Sequence, residues 1–129
     1  MFYSNFMNII LSIKKEFAEK ILLGTKRYEY RKRGFRYNIE RVLMYVTSPH
    51  CLIIGEFHIE CILVDLPKRI WQKTFNDSGI SEEYFYQYYY NSEFAYALKI
   101  SSPLRYDTPF KLEDFNIYTP PQSFVYLKN

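Results

Sequence analysis

The sequence predicts an α+β fold: a small mixed β-barrel of five to seven strands with about three short helices. Three observations carry that expectation. Apolar or alternating runs of strand length recur at residues 9–13, 42–46, 51–63 and 94–100, and only short stretches with helical spacing separate them. No repeat, low-complexity tract or linker divides the chain. Its 129 residues, 48% hydrophobic and 24% charged, are enough for one core and one domain.

Taken in order, residues 1–8 are polar and aromatic without a clear period and are expected to form a loose leader, leaving 9–129 as the domain. Residues 9–13 read as a buried strand. Phe17 with Ile21, and Ala18 with Leu22, fall at i, i+4 spacing, which predicts a short amphipathic helix with Ser12 as N-cap and Gly24 at its end. Residues 26–33 follow as a strand of period two, Tyr28 and Tyr30 on one face and Arg27, Glu29, Arg31 and Arg33 on the other. Residues 42–46 are apolar throughout, hence a strand covered on both faces. Thr47-Ser48-Pro49-His50 is turn chemistry. The run from 51 to 63 is the longest strand candidate, with Ile54, Glu56, His58, Glu60 and Ile62 on one side. Pro67 suits the first turn of a helix carrying Ile70, Trp71, Thr74 and Phe75 that ends near Gly79. Ser81 is placed to cap another, whose first turn holds Glu82 and Glu83 and whose apolar stripe is Phe85, Tyr88 and Tyr89. Residues 94–100 and 103–110 read as two strands, Pro103 and Pro109 confining the second to an edge. The tail 118–124 is extended by its prolines, and 124–127 can add a last strand.

Composition narrows the function. Cys51 and Cys61 form no C-x-x-C pair, and on an apolar-rich stretch they read as small hydrophobes of a reduced intracellular protein. No segment approaches 18 apolar residues and no secretory leader is evident, so a soluble cytoplasmic protein without a membrane role is expected. The aromatic share is high, with 14 Tyr, 11 Phe and 1 Trp. Rings with polar tips suit groove walls and stacking platforms, although a tyrosine stripe at 84–90 is first of all a packing surface. Charge is concentrated: residues 26–41 hold seven cations against two carboxylates, a local +5, which leaves −2 on the rest of a chain of net charge +3. One basic segment on a mildly acidic body points to a local polyanion contact.

That segment opens with Gly24, Lys26, Glu29 and Arg31 in the pattern G-x-K-x-x-E-x-R. Period two sets Glu29 beside Arg31, so that a carboxylate and a forked donor are offered together to one bound polar group. Glu56-x-His58-x-Glu60 has three ligand residue types on one strand face, but the spacing equally describes a solvated face. No metal and no cofactor are expected.

The pattern resembles the signature of ASCH domains, a branch of the PUA-like superfamily of small barrels. Ser12-Ile13-Lys14 leading into Phe17-Ala18-Glu19-Lys20-Ile21 is similar to the family's first strand and helix. Tyr45 to Pro49 followed by Gly55-Glu56-Phe57 resembles its core strands. Tyr96-Ala97-Leu98-Lys99-Ile100 and Pro120-Pro121-Gln122-Ser123-Phe124 resemble the closing segments of a short prokaryotic and phage-type subgroup. The resemblance implies a cleft beside the first helix that takes RNA or a modified nucleoside. Lys26, Glu29 and Arg31 would line it, Arg33, Thr47 and Ser48 would add contacts, and Gln122 and Ser123 would close it, while Arg27, Lys32 and Arg36 would meet phosphates. A role in transcription or translation control or in RNA metabolism follows, with a protein-interaction module of a regulatory complex as another reading. An enzymatic branch of the family removes the acetyl group of N4-acetylcytidine with a Lys and a Thr of the motif and a distant Glu. Lys26 fills the first position, and Glu82 or Glu83 would be the distant carboxylate. Glu29 stands where the Thr would be and cannot supply the same hydroxyl, so Lys26 and Glu29 would have to serve as an acid–base pair in any hydrolase or ribonuclease chemistry.

Overall fold

The computed structural model describes residues 6–127. Six strands form one mixed sheet, β1 (Phe6–Ile13), β2 (Tyr28–Arg31), β3 (Asn38–Val46), β4 (Leu52–Asp65), β5 (Ala95–Phe110) and β6 (Phe124–Tyr126). Their order across the sheet is β2-β5-β4-β3-β1-β6, with β1 and β3 parallel and the other neighbours antiparallel. The sheet curls into a half-barrel, and three helices cover it: α1 (Lys15–Leu23), α2 (Pro67–Thr74) and α3 (Glu82–Tyr88). Two single 3-10 turns, Phe75–Asp77 and Leu112–Phe115, were not foreseen. Among the described residues no helix is long and apolar enough to cross a membrane.

Strands β1 and β3 are buried on both faces, and their period of two divides the core. Ile9, Leu11 and Ile13 join Val42, Met44 and Val46 under Ala18 and Ile21 of α1. Ile10, Leu43 and Tyr45 point the other way, toward Ile53 and Leu112 of the second 3-10 turn. A third cluster gathers Tyr30, Ile70, Phe85, Tyr89, Ala95 and Ala97 under α2 and α3. Each face thus has a cover, which is why an uninterrupted apolar run can be a strand here.

Several local expectations are corrected. β1 begins at Phe6, so the strand takes in three residues assigned to the leader, and residues 1–5 lie outside the described residues. Ser12 does not cap α1. It belongs to β1, its N–H donating to the Ser123 carbonyl at 2.9 Å and its hydroxyl to the Pro121 carbonyl at 2.7 Å, and the N-cap is Lys14, without a side-chain bond. The expected strand over 26–33 is shorter, since only 28–31 pair with β5. The two strands expected over 94–110 are one. Between the pairs His58↔Ser101 and Glu56↔Leu104, β5 carries one residue more than β4, and Ser102 has φ +52. Pro103 sits in that bulge, where its missing N–H deprives no ladder bond. Cys51 and Cys61 are both free thiols, and both are exposed rather than packed as small hydrophobes. Glu56 is not on a solvated face either: it is buried, and it accepts from the Tyr106 hydroxyl at 2.8 Å and lies 3.6 Å from Arg41.

The helix ends behave as their sequences dictate. Gly24 closes α1 at φ +87, the left-handed conformation that costs a Cβ-bearing residue most. The Ser81 side chain accepts the Tyr84 N–H at 3.0 Å as the N-cap of α3. Replacing Ser81 by Ala is expected to cost about 1 kcal/mol of stability, to be read from the midpoint of chemical denaturation. Because the cap orders the helix that carries Tyr84 and Tyr88, the same variant should weaken ligand binding at the site described next.

Candidate functional site

The end of α1 positions the first functional side chain. Thr25 and Lys26 both donate their backbone N–H to the Lys20 carbonyl, at 3.0 and 3.1 Å. That wrap turns the chain under the helix and sends the Lys26 side chain inward, where it is 1% exposed. Its Nζ donates to the Ser78 carbonyl at 2.7 Å, lies 3.9 Å from Glu29 Oε1, and stands 4.9 and 5.2 Å from the ring centres of Tyr30 and Phe17. Gly79 packs directly on its aliphatic stem. Burial strips the ammonium of water and pulls its pKa down from the usual lysine range to about 8. Glu29 resists that shift and Lys20 assists it, and desolvation is the larger effect.

Glu29 and Arg31 lie on one face of β2, as their spacing predicts, with Glu29 Oε2 3.3 Å from Arg31 Nη1. The strand is held from behind. The Tyr30 hydroxyl donates to Thr74 Oγ1 at 2.7 Å, and the Tyr89 hydroxyl donates to the Arg31 carbonyl at 2.9 Å. Burial raises the pKa of both phenols above the usual tyrosine value, which keeps them neutral donors. The other fork of Arg31 donates to Ser123 Oγ at 2.5 Å. Because β2 and β6 are the two edges of the sheet, this bond links the edge strand β2 to the segment entering β6 across the open side of the half-barrel.

Between these groups lies a cavity of about 200 Å³. Lys26, Glu29 and Arg31 form its polar row, Phe17, Tyr30, Tyr84 and Tyr88 its ring walls, and Ser12, Ile13, Lys14, Ile80 and Gln122 complete it. The Lys14 Nζ stands 5.0 Å over the Tyr84 ring. An anion, or a flat polar ring with both donors and acceptors on its edge, meets complementary groups here.

Of the residues singled out in the sequence, Lys26, Glu29, Arg31 and Gln122 come together at this cavity. Ser123 reaches it through Arg31, and Lys32, Arg33 and Ser123 line an adjoining groove. Arg36 is exposed nearby, its N–H bonded to the Tyr126 hydroxyl and its guanidinium 5.6 Å from the Tyr37 ring. Arg27 does not join them. It turns to another groove with Tyr28, Glu60, Asp77 and Lys99, which Lys26 also lines. Thr47 and Ser48 follow β3 and are not among the cavity's lining residues, and the Thr47 N–H donates to the Ile13 carbonyl at 3.3 Å. Glu82 and Glu83 are exposed on α3 and do not line the cavity. The Glu60 carboxylate is taken by Lys99 at 2.8 Å. Sequence reasoning missed Ser12, Lys14 and Ile80, whose local patterns carry no sign of a site. For Tyr84 and Tyr88 a signal existed, since residues four apart share one helix face and the apolar stripe included only the second of them.

Known proteins share this fold. The model of the ASCH domain matches residues 11–104. The ATP synthase subunit alpha of Ureaplasma parvum is 36% identical over 93% of the chain, which spans only 15% of that relative's length. A protein of Zymomonas mobilis named ASCH domain-containing ribonuclease is 27% identical over 92% of the chain and 83% of its own length. The crystal structure of ASCH from Zymomonas mobilis superposes with a TM-score of 0.85 at 25% identity, covering 95% of this chain and 88% of that one. With the family model covering most of the chain and the same half-barrel in the solved relative, the chain belongs to the ASCH domain family.

Proposed function

We propose that this domain binds single-stranded RNA and seats one base in the cavity of α1, β2 and α3. The observation that carries the reading is the row Lys26–Glu29–Arg31, buried or half-buried and walled by aromatic rings at the rim of the basic segment. Single-stranded RNA is recognised by splaying a base onto aromatic side chains and reading its edge by hydrogen bonds. A cavity of about 200 Å³ is smaller than the ~300–1,000 Å³ typical of drug-sized ligands, which suits a single ring system. Glu29 accepts from the amino or imino edge, Arg31 donates to a carbonyl or to the phosphate, and Lys26 supplies positive charge from below.

The test is anisotropy of labelled RNA oligonucleotides against salt. Glu29→Gln, which keeps the shape and removes the charge, should weaken binding about tenfold while leaving the salt slope unchanged. Lys32→Ala should leave base preference intact and reduce the slope by about one. An absence of RNA binding at low salt would overturn the reading.

A second reading, RNA cleavage, is supported by the likeness to a protein named as a ribonuclease and by a lysine whose pKa of about 8 lets it exchange a proton near neutrality. In that reading neutral Lys26 takes the proton of a ribose 2′-hydroxyl, the 2′-oxygen bonds to the adjacent phosphorus, and the 5′-oxygen leaves and is protonated by solvent, giving a cyclic phosphate. Arg31 balances the charge on the phosphoryl oxygens. A 2′-deoxy substitution at the scissile nucleotide should abolish cleavage but not binding, and Lys26→Met should abolish cleavage while also weakening binding. Turnover that survives in Lys26→Met would remove Lys26 from the chemistry.

A further inference from the structure

The cavity does not end at its rim. Arg31, Tyr88 and Gln122 line both it and a second groove of about 480 Å³, whose further walls include Lys32, Arg33 and Phe124. Building on the RNA-binding reading, we propose that the second groove is a subsite for the neighbouring nucleotide, so that the minimal ligand is two nucleosides joined by one phosphate. Three observations support this assignment. The shared rim places Arg31, already forked between Glu29 and Ser123, between the two compartments, where the linking phosphate would replace the Ser123 hydroxyl as its acceptor. The groove brings rings of its own, Phe124 packed edge-on against Phe35 at 4.9 Å, beside the shared Tyr88, over whose ring the Lys32 ammonium stands at 4.8 Å. Its cations are also unspent. Among the described residues Lys32 and Arg33 have no carboxylate partner, whereas Arg41, Arg69, Lys73, Lys99 and Arg105 each have one. Cations without a carboxylate partner beside half-buried rings are how sequence-tolerant contacts to a nucleic-acid strand are built.

A single base in the cavity cannot use this second compartment, whereas a dinucleotide spans both. The experiment compares the four ribonucleoside monophosphates, as 3′ and 5′ isomers, with the sixteen ribodinucleoside monophosphates by calorimetry at one low salt concentration. The best dinucleotide should bind at least tenfold tighter than the best monophosphate. The exposed double substitution Lys32→Ala with Arg33→Ala should remove most of that advantage while leaving monophosphate affinity within twofold, and an unchanged thermal midpoint would show that the fold is intact. Equal affinity for monophosphates and dinucleotides would overturn the second subsite and leave the base-binding reading standing. A double variant that retains the full dinucleotide advantage would also overturn it. Binding by neither class would overturn both readings together.

Discussion

Gly79→Ala is expected to lose about 3 kcal/mol of stability, roughly a 10 °C fall in thermal midpoint for a domain of this size, and most of the ligand affinity with it. Two costs combine. Gly79 has φ +68, where an L-residue pays about 1–2 kcal/mol. A Cβ built there would also lie 2.5 Å from Lys26 Cβ and 2.6 Å from its Cγ. Those atoms sit at the root of a buried side chain rather than at its mobile end, so either the loop or the lysine must move. The resulting overpacking adds about 1–3 kcal/mol. Moving the lysine breaks its bond to the Ser78 carbonyl, and moving the loop breaks the Lys20 Nζ bond to the Gly79 carbonyl at 3.0 Å. Denaturation midpoints and RNA affinity measured on the same preparation check both halves. Wild-type stability together with wild-type binding would show that the loop does not hold Lys26.

The second large effect is a dependence of stability on pH that Lys26 contributes. Its pKa is lowered on folding from 10.5 to about 8. Below pH 8 both the folded and unfolded chains hold the proton, and the folded state bears the cost of burying the charge. Between about pH 8 and 10.5 the unfolded chain still holds the proton while the folded one has released it, so stability rises with pH by up to about 1.4 kcal/mol per unit. Across that window the gain is about 3 kcal/mol. The buried tyrosines act the other way above pH 10: Tyr30, Tyr89 and Tyr106 all have raised pKa values from burial, and stability is lost once the unfolded chain ionises them. Lys26→Met shares those tyrosines but lacks the lysine. The stability of the wild type relative to Lys26→Met, measured by denaturant unfolding from pH 7.5 to 10, should therefore climb steadily. A flat difference would mean that the ammonium is not desolvated by the fold.

Both effects trace to a residue whose place in the motif was legible but whose environment was not. The spacing of Gly24, Lys26, Glu29 and Arg31 is a local property, and period two on a strand fixes that Glu29 and Arg31 share a face whatever packs upon it. Strand runs, the Ser81 cap and the Gly24 stop are likewise written within a turn or two of their own residues. The adjoining cations Lys32 and Arg33 could be assigned to a basic surface because charge density is also local.

What the sequence by itself determined, then, is the α+β class, most of the strands and helices, and the row of three charged side chains. Only the tertiary structure decided what surrounds that row, because those neighbours are distant in the chain. Ser78 and Gly79 lie 52 and 53 residues from Lys26, and Ser123 lies 92 from Arg31. The pairing of β2 with β5 and of β6 with β1 brings Ser123 to Arg31, and the connection between α2 and α3 brings Ser78 and Gly79 onto Lys26; no local pattern encodes either. The same holds for the exclusions. Arg27 departs from the face of Glu29 and Arg31 because the strand begins only at Tyr28, so period two does not extend to it, and Thr47 and Ser48 stand aside because the β3–β4 turn lies beyond the cavity's lining. Glu29, which its spacing set beside Arg31, became, once the 78–79 loop closed over Lys26, the counter-charge to a buried lysine as well.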